Sequence, residues 1–153
     1  MGYALLALDR EPPRLVGCGL VEVARELSTA GRLLAIADAL DALIAEHAPQ
    51  ALALERLYFN KNVKTAMTVA EARGIALLCG ARAGLIVAEY TPQQVKLAVT
   101  GSGGADKKAV QRMLGHVLKL DEPITQDNVA DAVAIALTYA HGVRFAAAVA
   151  MAR

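Results

Sequence analysis

Ala51-Leu-Ala-Leu-Glu55-Arg-Leu-Tyr-Phe-Asn-Lys-Asn62 is the stretch on which the reading of this chain turns. A short apolar run, the length of a buried strand, ends abruptly on the carboxylate of Glu55. An ionised carboxylate there costs several kcal/mol unless partnered, or is forced to hold its proton. A cation at the strand end removes that cost, so Glu55 is the first candidate metal ligand. Tyr58, Phe59 and Lys61 follow it closely and are placed to meet a substrate.

Around this stretch, 153 residues with 56% hydrophobic content describe one domain, 1–153, able to bury a core. No run reaches the ~18 uncharged apolar residues of a membrane span, and the N-terminus lacks the basic-then-apolar layout of a signal peptide. Cys18 and Cys79 sit in apolar segments without metal-ligand spacing, which reads as buried free thiols in a reducing cytoplasm. The net charge is only +1, but it is unevenly spread. Residues 56–119 hold ten Lys/Arg against three Asp/Glu, and the rest of the chain holds six against twelve. A basic middle between acidic flanks fits a polyanion-binding face beside a carboxylate site, although a solvated helix surface gives the same count.

Two apolar runs, 2–8 and 14–23, flank Asp9-Arg-Glu-Pro-Pro13 and predict a β-hairpin with Asp9 as a structural turn residue. Leu33, Leu34, Ala37, Leu40, Leu43 and Ile44 recur at helical spacing within 26–47, ahead of Pro49. After the 51–55 strand, residues 62–82 read as a helix interrupted by Gly74, with a small-residue face (Ala66, Ala70, Gly74, Cys79) suited to core packing or a dimer contact. Residues 85–90 are a strand. Thr91-Pro92 then starts a short helix carrying Lys96. Gly101-Ser-Gly-Gly104 is a loop without the order of a Walker A motif. Lys107, Lys108 and Arg112 lie on the helix 106–120, and a last helix runs over 127–148. The order predicts an α/β domain with a mixed sheet and helices packed on it.

Asp127-Asn128-Val-Ala-Asp131 opens that last helix. Asp131 falls one turn after Asp127 and Asn128, so all three can offer oxygens to one point. An N-cap role for Asp127 and a dipole role for Asp131 account for the same residues. With Glu55 the set matches the hard oxygen donors that Mg²⁺ takes from separate elements. His47, His116 and His141 have no zinc-like neighbours and read as surface or capping residues, and no Ser/His/Asp set is legible.

Leu54-Glu55-Arg-Leu-Tyr-Phe-Asn-Lys-Asn62, Tyr90-Thr-Pro-Gln-Gln-Val-Lys96, Val99-Thr-Gly-Ser-Gly-Gly-Ala-Asp-Lys107 and Ala130-Asp-Ala-Val-Ala-Ile-Ala136 resemble, in order and spacing, the bacterial RuvC Holliday-junction resolvases. The resemblance implies an RNase H-like fold with a mixed central sheet flanked by helices. It implies a cytoplasmic homodimer that uses Mg²⁺, with Mn²⁺ as a substitute, to hydrolyse two symmetric phosphodiesters of four-way junction DNA. Partnership with the RuvA–RuvB branch-migration complex follows from it too. Glu55 and Asp131 match acidic metal ligands of the family, with Asn128 or Asp127 completing the shell. Tyr58 matches an aromatic inserted at the crossover, and Lys96 and Lys107 match basic residues near the scissile phosphate and the DNA backbone. Phe59, Lys61, Asn62, Lys64, Lys108 and Arg112 join them as the expected DNA-binding set.

The sequence departs from the family pattern twice. Asn128 stands where the family has an acidic residue or histidine, and it brings an oxygen but no charge. Asp127 points about 100° away from it around a helix of 3.6 residues per turn. Met1-Gly-Tyr-Ala-Leu-Leu matches a segment that follows the family's first strand, so the central strand with the first catalytic aspartate is expected to be missing, as in a chain shortened at its N-terminus. The expected function is a junction-resolving endonuclease. The alternatives are a catalytically impaired junction-DNA-binding protein and a plain α/β protein with solvated lysines.

Overall fold

The computed structural model describes residues 1–56 and 63–152, without the side chains of 63–65. The chain resolves into two compact units, one formed by Met1–Leu20 with Tyr90–Arg153 and the other by Val21–Glu89.

The first unit opens with the expected hairpin, β1 (Gly2–Ala7) against β2 (Arg14–Leu20), antiparallel from Gly2↔Leu20 to Ala7↔Arg14. A register shift between Leu5 and Leu6 leaves Val16 without an opposite residue, and its side chain is exposed. The bulge keeps Ala4, Leu6, Leu15, Cys18 and Leu20 against the core on both sides of the irregularity. Three helices complete the unit: α3 (Pro92–Thr100), α4 (Lys107–Leu118) and α5 (Asp127–Met151).

Each helix boundary has a local cause. Thr91 caps α3 in a reciprocal capping box with Gln94, and Gly101 ends it at φ +77°, a conformation that glycine adopts without strain. Asp106 caps α4 through the Ala109 N–H at 2.7 Å. The core gathers Val95 and Val99 of α3, Val110, Leu114 and Leu118 of α4, and Val129, Ala130, Val133, Ala134 and Leu137 of α5. His141 of α5 lies 3.2 Å from the Ala98 carbonyl, a structural role that ties α5 to α3. Helix α5 has the length and hydropathy of a membrane span, but its first half is the centre of this core.

The second unit contains α1 (Thr29–His47), β3 (Ala51–Glu55), α2 (Val63–Arg82) and β4 (Ile86–Tyr90), whose last residue already belongs to the first unit. Ser28 caps α1, and Ala48 closes it in the left-handed region just before Pro49. Helix α1 packs on α2, with the buried Cys79 thiol facing the Ala37 carbonyl and Arg82 paired with Asp41. Two sequence expectations change here. Leu34 lies on the exposed side of α1, and α2 runs unbroken through Gly74, where an added Cβ would meet open space.

Strand β3 pairs with β4, so the strands form two two-stranded ladders, β1–β2 and β3–β4. The element order is the expected one. Among the described residues no strand is hydrogen-bonded to both ladders.

Candidate active site

In the second unit, Glu55 is the last residue of β3, at the strand end where the sequence places it, but it is exposed, so the burial cost expected of its carboxylate does not arise there. Arg73 of α2 holds the strand end there. Its Nε donates to the Glu55 carbonyl oxygen at 3.2 Å and its guanidinium also binds the Glu89 carboxylate of β4. Arg56 lies on the other Glu89 oxygen at 3.6 Å. Neither Arg73 nor Glu89 is among the expected site residues, yet the signal was present: Ile86-Val-Ala-Glu89 repeats the pattern of Ala51–Glu55. Tyr58, Phe59, Lys61 and Asn62 lie outside the described residues, as does the side chain of Lys64.

In the first unit, Asp127 occupies the first turn of α5 and does not cap it. Gln126 is the cap residue, without a side-chain hydrogen bond. Asp127 instead accepts from Lys107 Nζ at 3.1 Å and from Gln111 Nε2 at 3.3 Å, both reaching over from α4. Asp131 follows one turn later, with Val129, Ala130, Val133 and Ala134 buried around it in sequence. Asp131 itself is exposed, and partial desolvation by the protein beside it pushes its carboxyl above the usual range. Lys107 pulls it back and the charge of Asp127 pushes it further up. The hydrogen bond to Asp127, with the charges of Asp127 and Asp131, holds the Lys107 ammonium firmly protonated. The structure thus brings Asp127, Asp131 and Lys107 into one electrostatic cluster, with Asn128 beside them in the chain.

Beyond Lys107, Lys108 and Arg112 are exposed on α4 and make no ion pair among the described residues. His116, one turn after Arg112, is exposed in the last turn of α4, in keeping with the surface or capping role expected of it. With Arg112, Thr100, Ser102 and Met113 it lines an open groove of about 520 Å³ beside the Gly101–Gly104 loop. Lys96 is half-buried on α3.

The donor set suits a hard divalent cation. It offers carboxylate and amide oxygens, the donors that such a cation takes, while Lys107 draws the Asp131 carboxyl down by more than the charge of Asp127 pushes it up. Among the described residues no group of three acidic, histidine or cysteine side chains is already gathered as a metal site, so such a cation would draw in oxygens beyond Asp127 and Asp131.

Comparison with known proteins decides the family. Residues 1–139 match the family model described as crossover junction endodeoxyribonuclease RuvC. The chain belongs to the RuvC family. Its curated relatives include the RuvC of Heliobacterium modesticaldum, 44% identical over 96% of this chain and 91% of the relative. The RuvC of a Roseiflexus species is 45% identical over 92% of this chain and 84% of the relative. A solved structure of Thermus thermophilus RuvC in complex with Holliday junction substrate superposes with a TM-score of 0.87 at 31% identity, covering 95% of this chain and 88% of that one. The fold is therefore RNase H-like, and the family is one of structure-specific endodeoxyribonucleases.

Proposed function

We propose that this chain is one subunit of a homodimeric, Mg²⁺-dependent endonuclease that resolves four-way DNA junctions by symmetric phosphodiester hydrolysis. Mn²⁺ substitutes for Mg²⁺ in this reading. The observation that carries it is the Asp127–Lys107–Asp131 cluster at the start of α5, in a chain whose relatives are junction nucleases. Asp131 and Glu55 would be the anionic metal ligands, with Asp127 or Asn128 completing the shell. A bound cation would supply charge neutralisation at the phosphoryl oxygens and acidity of water near neutral pH.

The chain's own residues do the rest. Lys107 pairs with Asp127 at 3.1 Å and presents a positive charge where negative charge grows on the phosphate. Lys96, Lys108 and Arg112, with Lys61, Asn62 and Lys64, bind the backbone, which makes affinity fall steeply with salt. Tyr58 and Phe59 stack on bases exposed at the crossover. The subunit acts in the cytoplasm with the RuvA–RuvB branch-migration complex.

The test is nicking of a synthetic four-way junction with and without Mg²⁺, beside a gel shift in chelator. Metal-dependent, symmetric nicks support the reading. The uncharged Asn128 favours the alternative of a junction binder impaired in catalysis. Salt-sensitive binding without nicking at any metal concentration establishes that one.

A further inference from the structure

One contact between the hairpin and α5 is made by a residue with no side chain. A Cβ placed on Gly2 would lie 1.9 Å from the carbonyl oxygen of Asn128, 2.5 Å from its carbonyl carbon and 3.1 Å from the Val129 nitrogen. Ordinary carbon–oxygen contacts are no closer than about 3.3 Å, so even alanine overlaps the helix backbone by more than about 1 Å. The obstacle is main chain, which cannot rotate aside as a side chain can. Nor can the turn slide away easily, because the next residues, Val129 and Ala130, are buried in the core. The turn that Gly2 touches is the one bearing Asp127 and Asn128, with Asp131 one turn on.

We propose that Gly2 is a positioning residue. By letting β1 seat directly on the Asn128 carbonyl, it sets where the first turn of α5 presents the oxygens of Asp127, Asn128 and Asp131. This inference rests on the metal-dependent nuclease reading above. A misplacement of about 1 Å in a catalytic constellation is worth roughly 10²-fold in rate. Strand propensity does not explain the glycine, since alanine is no worse than glycine in a strand interior.

Gly17 on the neighbouring strand is the matched control, for its added Cβ would meet only Leu5 Cδ1 at 4.0 Å. The experiment compares wild type, Gly2→Ala and Gly17→Ala in three measurements: junction binding in chelator, the Mg²⁺ dependence of nicking, and Mn²⁺ binding by calorimetry without DNA. Gly2→Ala is expected to bind the junction in chelator as wild type does. Its nicking falls about 10²-fold, its half-activating Mg²⁺ concentration rises and its Mn²⁺ affinity weakens. Gly17→Ala matches wild type throughout. Wild-type nicking and Mn²⁺ affinity in Gly2→Ala overturn the proposal. So does loss of junction binding together with cleavage, which makes the glycine a requirement of the fold alone. A wild type that binds Mn²⁺ but nicks nothing overturns the nuclease reading instead, while the calorimetric comparison still decides the role of Gly2.

Discussion

Replacing Arg73 with methionine tests how the end of β3 is held. The guanidinium makes two bonds that methionine cannot, one to the Glu55 carbonyl at 3.2 Å and one to the Glu89 carboxylate. Both partners of the ion pair are largely withdrawn from solvent, with side-chain exposures of 23% for Arg73 and 29% for Glu89. Hydrogen bonds to charged groups contribute about 1.5–3 kcal/mol, and leaving one partner buried keeps its desolvation cost. Arg56 remains beside Glu89 at 3.6 Å and offsets part of the loss. A destabilisation of about 2 kcal/mol is expected, which for a chain of this size lowers the melting temperature by about 4–8 °C. Because the same side chain fixes the residue that presents Glu55, nicking at a temperature where the variant is fully folded should fall by about 10-fold or more. The assay is thermal unfolding beside single-turnover cleavage, repeated with Glu89→Gln and the double variant. The two substitutions should couple by at least about 0.5 kcal/mol. Unchanged melting and unchanged cleavage in Arg73→Met refute the reasoning outright.

Other outcomes follow from the acidic clusters. Glu55→Gln should abolish nicking and keep junction binding in chelator, whereas loss of both assigns Glu55 to the fold. Lys107→Ala should slow cleavage about 10²-fold. Its exposed ion pair with Asp127 adds little stability, so the melting temperature should move by no more than the equivalent of about 1 kcal/mol. Unchanged single-turnover rates remove Lys107 from the site. Asp131→Asn should end cleavage while raising the melting temperature at pH 7 only slightly, because solvent at this exposed residue screens the cost of its charge. The folded-state carboxyl is pushed up, mainly by burial, so its ionisation opposes folding above the carboxylate range. The gain should shrink as pH falls through that range, where wild-type Asp131 is protonated in both states. A gain that is independent of pH, or a loss at pH 7, contradicts the assignment of that cost to ionisation.

Much of the molecule was legible before any coordinates. Thr91 and Pro92 announce the start of α3, and Asp9-Arg-Glu-Pro-Pro13 marks the hairpin turn, because caps and turns are written in adjacent residues. Glu55 and Asp131 stood out because each is a carboxylate abutting an apolar run. The role of Asp127 was not legible. Its residue type and place suggest an N-cap, and its actual partners, Lys107 and Gln111, are twenty and sixteen residues away. Arg73 with Glu89 escaped notice for the same reason.

The sequence by itself determined the elements, the family and the acidic candidates, since these depend on short-range pattern and on motifs of fixed spacing. Only the tertiary structure decided which of those charges meet, that Lys107 pairs with Asp127 and that partial desolvation lifts the Asp131 carboxyl. It alone exposed the demand for glycine at position 2, where strand and helix backbones come into direct contact. The physical reason is that electrostatic coupling and steric exclusion depend on distances between chain segments remote in sequence, and no local pattern encodes those distances.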